Sequence, residues 1–405
     1  MLLIEKFTKY YLLDYLLLLL PISLVLGNAA INILCLLVFF SLIINSVFNK
    51  HLFYNKKNYF FFSIILILIL FLNIIFSNEK YISLITSIGI IRYFIIFLSL
   101  LICFENSKEF RENFFKLFMI TLIFVILDTY IQYFFKKDIF GYIVTSSHGN
   151  RLSGPFGDEL VVGSFISKTF FVAVIYLITK SKNLYLYSFS FFSLLIVILS
   201  NERSASIMLF SSLIIFYFLW IKSFKYKILS ILGIAIIFFL LLFQNKNLNN
   251  HFIKIPMKYF SDNHHKAHFL TGFEIFNDNK IFGSGLKTFR YVCSNSKYEK
   301  IKTKYANNRC ATHPHNIYIE VLSETGLAGM LLLVTLNLYI FIYFVRKLFA
   351  RQINDYDKII FAYFFLLFFP LQTTGSLFST WNGIFYWIFY AFFFINKKKL
   401  TFKSI

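Results

Sequence analysis

The chain has 405 residues, of which 58% are hydrophobic, 21% aromatic and only 15% charged, and its mean hydropathy is +0.70. A soluble domain carries about 25% charged residues, so a soluble globular fold is excluded. The formal net charge of +21 would raise the question of nucleic acid in a soluble protein, but here Lys and Arg sit in short stretches between apolar runs and read as membrane topology, with no nucleic-acid partner.

The apolar runs are of the length an α-helix needs to cross the roughly 30 Å hydrocarbon layer. In chain order they cover about 10–26, 28–48, 59–76, 81–103, 114–135, 159–179, 184–200, 204–221, 228–243, 327–345, 359–378 and 381–395. The expected fold is therefore an all-α, polytopic helical membrane protein of about twelve transmembrane helices. Its parts are helices 1–9 in residues 1–243, a large loop at 244–326, and helices 10–12 with a tail at 327–405. If the N-terminus is cytoplasmic, Lys and Arg crowd the cytoplasmic loops, while the short outer loops hold only Lys80, Lys136, Lys137, Arg151 and Arg203. That bias predicts both termini inside. Run 1 lacks a small-residue cleavage site and reads as a first span rather than a removed signal. No tandem repeat is present.

Two outer stretches interrupt the short connections, at 136–158 and at 244–326. The longer one has aliphatic and aromatic anchors, a helical pattern from about His264 to Phe276 and the turn Gly283-Ser284-Gly285, and reads as folded. It also carries Cys293 and Cys310. On an oxidising external face these two are candidates for a disulfide, with a pair of free thiols as the alternative. Cys35 and Cys103 lie in apolar spans as small hydrophobes.

Six of the eight histidines, His251, His264, His265, His268, His313 and His315, fall in this one segment. The stretch from His313-Pro314-His315-Asn316 to Gly326 places Asn316, Glu320 and Glu324 on a polar stripe and Ile317, Val321 and Leu322 on an apolar one. This suits a short helix at the membrane interface, with His315 at its N-terminal end and Gly326 and Gly329 releasing the chain into span 10. A histidine there titrates near neutral pH and suits removal of a proton from a hydroxyl, although loop polarity alone would also explain it. Arg151, in the run to Glu159, and Arg203, in Ser200-Asn201-Glu202-Arg203-Ser204-Ala205, stand against the positive-inside trend. Their guanidinium forks suit phosphate; salt bridges of Arg203 with Glu202 and of Arg151 with Asp158 are the simpler reading. Arg92, Lys168 and Asp128 fall inside spans, where an unpaired charge costs about 2.5–3.5 kcal/mol, and are expected to face a polar cavity. Arg92 either pairs with Asp128 or binds a lipid phosphate. His264 and His268 are spaced i, i+4 but lack further ligating motifs, so no metal is expected, and no nucleotide-binding motif occurs.

Taken together, the twelve-span plan, the large loop between spans 9 and 10, the His313-Pro314-His315-Asn316 to Gly326 stretch, the Asn201-Glu202-Arg203-Ser204-Ala205 turn and the Arg151-Leu152-Ser153-Gly154-Pro155-Phe156 loop resemble the bacterial O-antigen ligase and O-antigen polymerase family of integral membrane glycosyltransferases. The most family-like part runs from about 150 to 345. The resemblance implies a glycan donor on undecaprenyl diphosphate, a periplasmic location for the loop, residence in the bacterial inner membrane, and a role in lipopolysaccharide or surface polysaccharide assembly. By the same resemblance Arg203 and Arg151, with Arg290, would hold the diphosphate, His315 would be the general base and His313 a second candidate, and no cofactor is needed. The acceptor would be the lipid A core for a ligase or a second lipid-linked glycan for a polymerase, and the two are kept together. The rival from another class is a flippase for lipid-linked sugars. Transporters commonly show internal repeats and sites near the midplane, whereas this chain has no repeat and gathers its unusual polar groups outside.

Overall fold

The computed structural model describes residues 11–48, 57–144, 150–180, 183–244, 246–254, 257 and 263–395. Among them there are helices and turns but no strand. The helices are α1 (Tyr11–Leu18), α2 (Leu20–Leu26), α3 (Asn28–Phe48), α4 (Lys57–Phe76), α5 (Lys80–Asn106), α6 (Lys108–Phe135), α7 (Val162–Thr179), α8 (Asn183–Leu199), α9 (Arg203–Trp220) and α10 (Phe224–Gln244). After the large loop segment, which holds α11 (His264–Asp278) and α12 (Phe289–Val292), come α13 (Ile317–Phe349), α14 (Asp355–Phe368) and α15 (Thr380–Phe394). Six of these are long and apolar enough to cross a membrane by length and composition, and the remaining apolar helices follow the expected runs. The protein is an all-α, multi-pass membrane protein. The expected termini, residues 1–10 and 396–405, lie outside the described residues.

Side chains on these helices are apolar nearly all round, as a lipid-facing bundle requires. The core is built largely of phenylalanine: Phe104 meets Phe110, Phe114, Phe115 and Phe392 with ring centroids 5.1–5.7 Å apart. Where the sequence departs from a plain run, the helix departs too. The first expected span breaks at Leu19, because Pro21 has no N–H to continue the ladder.

The span expected at 359–378 differs most from its sequence reading. Helix α14 stops at Phe368, and residues 369–379 form a non-helical connector into α15. With 14 and 15 residues, α14 and α15 are only about 21–23 Å long at ~1.5 Å per residue. Both are much shorter than the 27- and 28-residue helices α5 and α6. Non-helical backbone within a helical bundle needs partners from the protein, and here it has them. The Asn316 side chain donates to Pro370 O and Gln372 O, the Asn382 side chain to Gly375 O and Ser376 O, and Ser204 Oγ to Thr373 O.

Candidate active site

The site forms where three loop-face elements converge on this connector. The first is the His313-Pro314-His315 turn. Thr374 N donates to His315 O at 2.9 Å, and the Thr374 carbonyl accepts from His313 Nε2 at 3.0 Å. With Nε2 donating, His313 Nδ1 stands 2.9 Å from Thr312 Oγ1 as an acceptor, so both ring nitrogens of His313 are engaged. The His315 ring makes no hydrogen bond among the described residues, and its backbone sits in the left-handed region at φ 60°. Such a conformation in a non-glycine residue costs about 1–3 kcal/mol and is held here from both sides, by the Thr374 bond and by Asn316, the N-cap of α13.

The second element is α9. Its first residue is Arg203, and Ser204 fastens the helix to Thr373, next to the residue that binds His315. Glu202 does not pair with Arg203, and Arg151 does not pair with Asp158. Instead Glu202 accepts from Gly163 N, Ser164 N and Ser164 Oγ at 2.6–3.0 Å, capping α7, and lies 3.9 Å from Arg151, whose other tie is to Leu160 O. The carboxylate is used up on a helix end, and Arg203 has no carboxylate partner among the described residues. Arg203 lies near enough to Arg151 for their charges to repel, and near enough to His265 to oppose its protonation. The Arg151 loop is in turn hung on Gln132, whose Oε1 accepts from Ser153 N and Gly154 N.

The third element is the segment from α11 to α12. The stripe of Asn316, Glu320 and Glu324, expected at the membrane interface, is buried, with 5%, 1% and 0% exposure. Each glutamate fastens a different loop. Glu320 accepts from Ser376 Oγ and Leu377 N, holding the connector. Glu324 accepts from Lys287 N and Phe289 N, holding the loop that carries Lys287 and Arg290. Arg290 is exposed beside His313 and lowers its proton affinity. The backbones cross so closely at Gly283 and Gly326 that a Cβ on Gly326, at φ 64°, would lie 2.5 Å from Ile281 O. Cys293 and Cys310 form a disulfide in this segment, with Cα atoms 5.3 Å apart.

Helix α11 completes the site. Gly272 lets it approach α13, since a Cβ there would lie 2.5 Å from Ile319. This brings His265 and His268 to 5.2 Å and 5.3 Å from the His315 ring, with His313 at 4.2 Å on the other side. Burial, reinforced by the neighbouring imidazoles, pulls His315 down to about 3 and His268 to about 4, and lowers His265 and His313 as well. The four rings are therefore neutral at pH 7.

The charges inside the spans do not form the pair considered from the sequence. Arg92 donates to Tyr93 OH and Thr380 Oγ1, whereas Asp128 sits in the last two turns of α6 and accepts from Ile139 N. Lys168 donates to Asn382 Oδ1 and lies 5.3 Å from the Trp381 ring centroid, beneath a polar cavity of about 50 Å³ that it lines with Ser204, Thr373 and Thr374. A larger apolar cavity of about 260 Å³ opens between α4, α5, α13 and α15, with Phe62, Phe97, Leu286, Val321 and Leu377 among its walls. Among the described residues no group of three or more His, Cys, Asp or Glu is placed to hold a metal ion.

Sequence reasoning singles out Arg203, Arg151, Arg290, His313 and His315, and the fold gathers them around one connector. It misses the connector itself, and with it Ser204, Thr373, Thr374 and Asn382. The one available signal was Gln372-Thr373-Thr374-Gly375-Ser376, a polar run too dense for the middle of a lipid-facing helix.

Residues 188–334 match the family model described as O-antigen ligase. The matched stretch, 147 of the 405 residues, includes Arg203, the whole α11–α12 segment and His315. Comparison with curated proteins gives no match.

Proposed function

We propose that the protein is a metal-independent glycosyltransferase of surface polysaccharide assembly that works at the periplasmic face of the bacterial inner membrane. It takes its glycan from undecaprenyl diphosphate and passes it to a hydroxyl of lipid A core or of a second lipid-linked glycan. The observation that carries this reading is Arg203: a guanidinium beside Arg151, fastened through Ser204 and Thr373-Thr374 to the backbone of His315, with neither a carboxylate on Arg203 nor a hydrogen bond on the His315 ring among the described residues.

In this reading His315 takes the proton of the acceptor hydroxyl as its oxygen attacks the anomeric carbon. The bond from that carbon to the diphosphate oxygen breaks, and undecaprenyl diphosphate leaves from the opposite face, so the configuration inverts. Arg203, Arg151 and Arg290 hold the diphosphate and stabilise the charge that grows on it as the bond breaks. His313, with both nitrogens engaged, positions the connector rather than handling the proton. The apolar cavity between α4, α5, α13 and α15 suits the carrier's hydrocarbon chain, with Leu286 placing the cavity wall next to Lys287 and the Arg290 loop.

The test is incubation of purified protein with a lipid-diphosphate-linked repeat unit, with and without lipid A core. A size ladder without core marks a polymerase; a single transfer that requires core marks a ligase. Movement of intact substrate across a proteoliposome bilayer with neither product would replace the enzyme by a transporter.

A further inference from the structure

Two buried imidazole nitrogens at the site have no use in the chemistry just described. His265 and His268 stand one turn apart on α11, their rings 6.0 Å from each other and 5.2–5.3 Å from His315. The Nδ1 atoms of both are buried and lack a hydrogen-bond partner among the described residues. His268 is 6% exposed, and its bond to the Asn308 backbone falls to the other nitrogen. In His268 a carbonyl partner fixes the proton on Nε2 and leaves Nδ1 as a lone pair. Buried polar atoms without a partner are rare in folded proteins, because each forfeits its hydration.

We propose that His265 and His268 form the acceptor subsite, receiving hydroxyls of the acceptor sugar that flank the one attacked. The inference rests on the transferase reading above. The chemistry of the two atoms selects the ligand. The His268 lone pair repels phosphate oxygen and neither ring carries a charge, so this pair is unsuited to the donor's diphosphate, for which the arginines are present. It requires groups that hydrogen-bond a neutral ring nitrogen, and a sugar offers several hydroxyls, each both donor and acceptor, within the span of one ring. Burial, which keeps both rings uncharged, agrees with this assignment. The position beside His315 then presents one hydroxyl to that ring while its neighbours are held by α11.

The experiment uses full-length protein in nanodiscs, with undecaprenyl-diphosphate-linked repeat unit as donor and either lipid A core or the same lipid-linked unit as acceptor. Transfer is measured against acceptor concentration, and release of undecaprenyl diphosphate by water is measured without acceptor. His268→Ala and His265→Ala are each expected to raise the acceptor KM about threefold to tenfold, the effect of one neutral hydrogen bond. Donor KM should stay unchanged. His268→Asn, which offers an oxygen near the Nδ1 position, should recover most of the loss, and it carries the test together with His265→Ala if His268→Ala does not fold. An unchanged acceptor KM, or an equal rise in donor KM and loss of hydrolysis, would overturn the subsite. If wild-type protein neither transfers nor hydrolyses the donor, it is the transferase reading that fails.

Discussion

At the scale of single residues, the site is governed by which polar atoms are already spent. Glu202 is occupied at the end of α7, so Arg203 has no carboxylate partner among the described residues, and His313 is occupied on both nitrogens while the His315 ring has no hydrogen bond among them. A base must be unprotonated to act, and a lowered proton affinity keeps it so at lower pH. With His315 drawn down to about 3 by burial and by His313, His265 and His268, the acid limb of kcat/KM should lie well below the ordinary histidine value of about 6.5. The limb of kcat, which reports the complex, should appear at higher pH, because the donor's negative diphosphate favours the imidazolium. Rates measured from pH 4 to 8 check this, and coincident limbs near 6.5 would count against it. The residue types were legible in the sequence, since Arg151 and Arg203 against the positive-inside trend and a His-Pro-His turn stand out. Their partners were not, because Glu202 reaches Gly163 and Ser164 from 38 or more positions away, and spacing along the chain carries no trace of such bonds.

At the scale of elements, one helical turn of α13 holds two loops, through Glu320 and Glu324. Glu324→Ala would leave the Lys287 and Phe289 amides unpaired, at about 1–3 kcal/mol for a buried amide. A clear fall in unfolding temperature in detergent is expected, along with loss of transfer as the Arg290 loop shifts; an unchanged melting curve would refute this role. The Gly283–Gly326 crossing gives a second check. Gly326→Ala places a Cβ 2.5 Å from Ile281 O at positive φ and should destabilise, whereas Gly233→Ala in α10 meets nothing within 4 Å and should be neutral or better by up to about 1 kcal/mol. Melting curves of the pair decide, and equal effects would contradict the crossing. The Asn316, Glu320, Glu324 stripe was readable from its period, but whether it faced water or protein depended on the connector, hidden in a run that looks like one continuous span from 359 to 378.

At the scale of the molecule, long apolar runs gave the helices almost one for one, because crossing lipid leaves the backbone no option but to satisfy itself within each helix. What hydropathy does not encode is where a helix stops inside an apolar run. The 369–379 connector between two short helices brings together segments that the sequence places far apart. The loop segment that covers it is closed by Cys293–Cys310, separated by 17 positions, and a link of that span contributes about 3 kcal/mol by loop closure. Reduction, or Cys293→Ser, should lower the unfolding temperature of the full-length protein in detergent; a melting point indifferent to reductant would show that the link adds no stability.

The central claim is that Arg203 and His315 act on one lipid-diphosphate donor across the Thr373-Thr374 bridge. The most direct measurement is glycan transfer by purified wild-type, Arg203→Ala and His315→Ala proteins from a lipid-diphosphate-linked repeat unit, with each variant's melting temperature alongside. The account predicts losses on the order of a hundredfold or more for both variants without loss of folding, consistent with removing a charge-stabilising donor or a general base. Full transfer by either folded variant would contradict it.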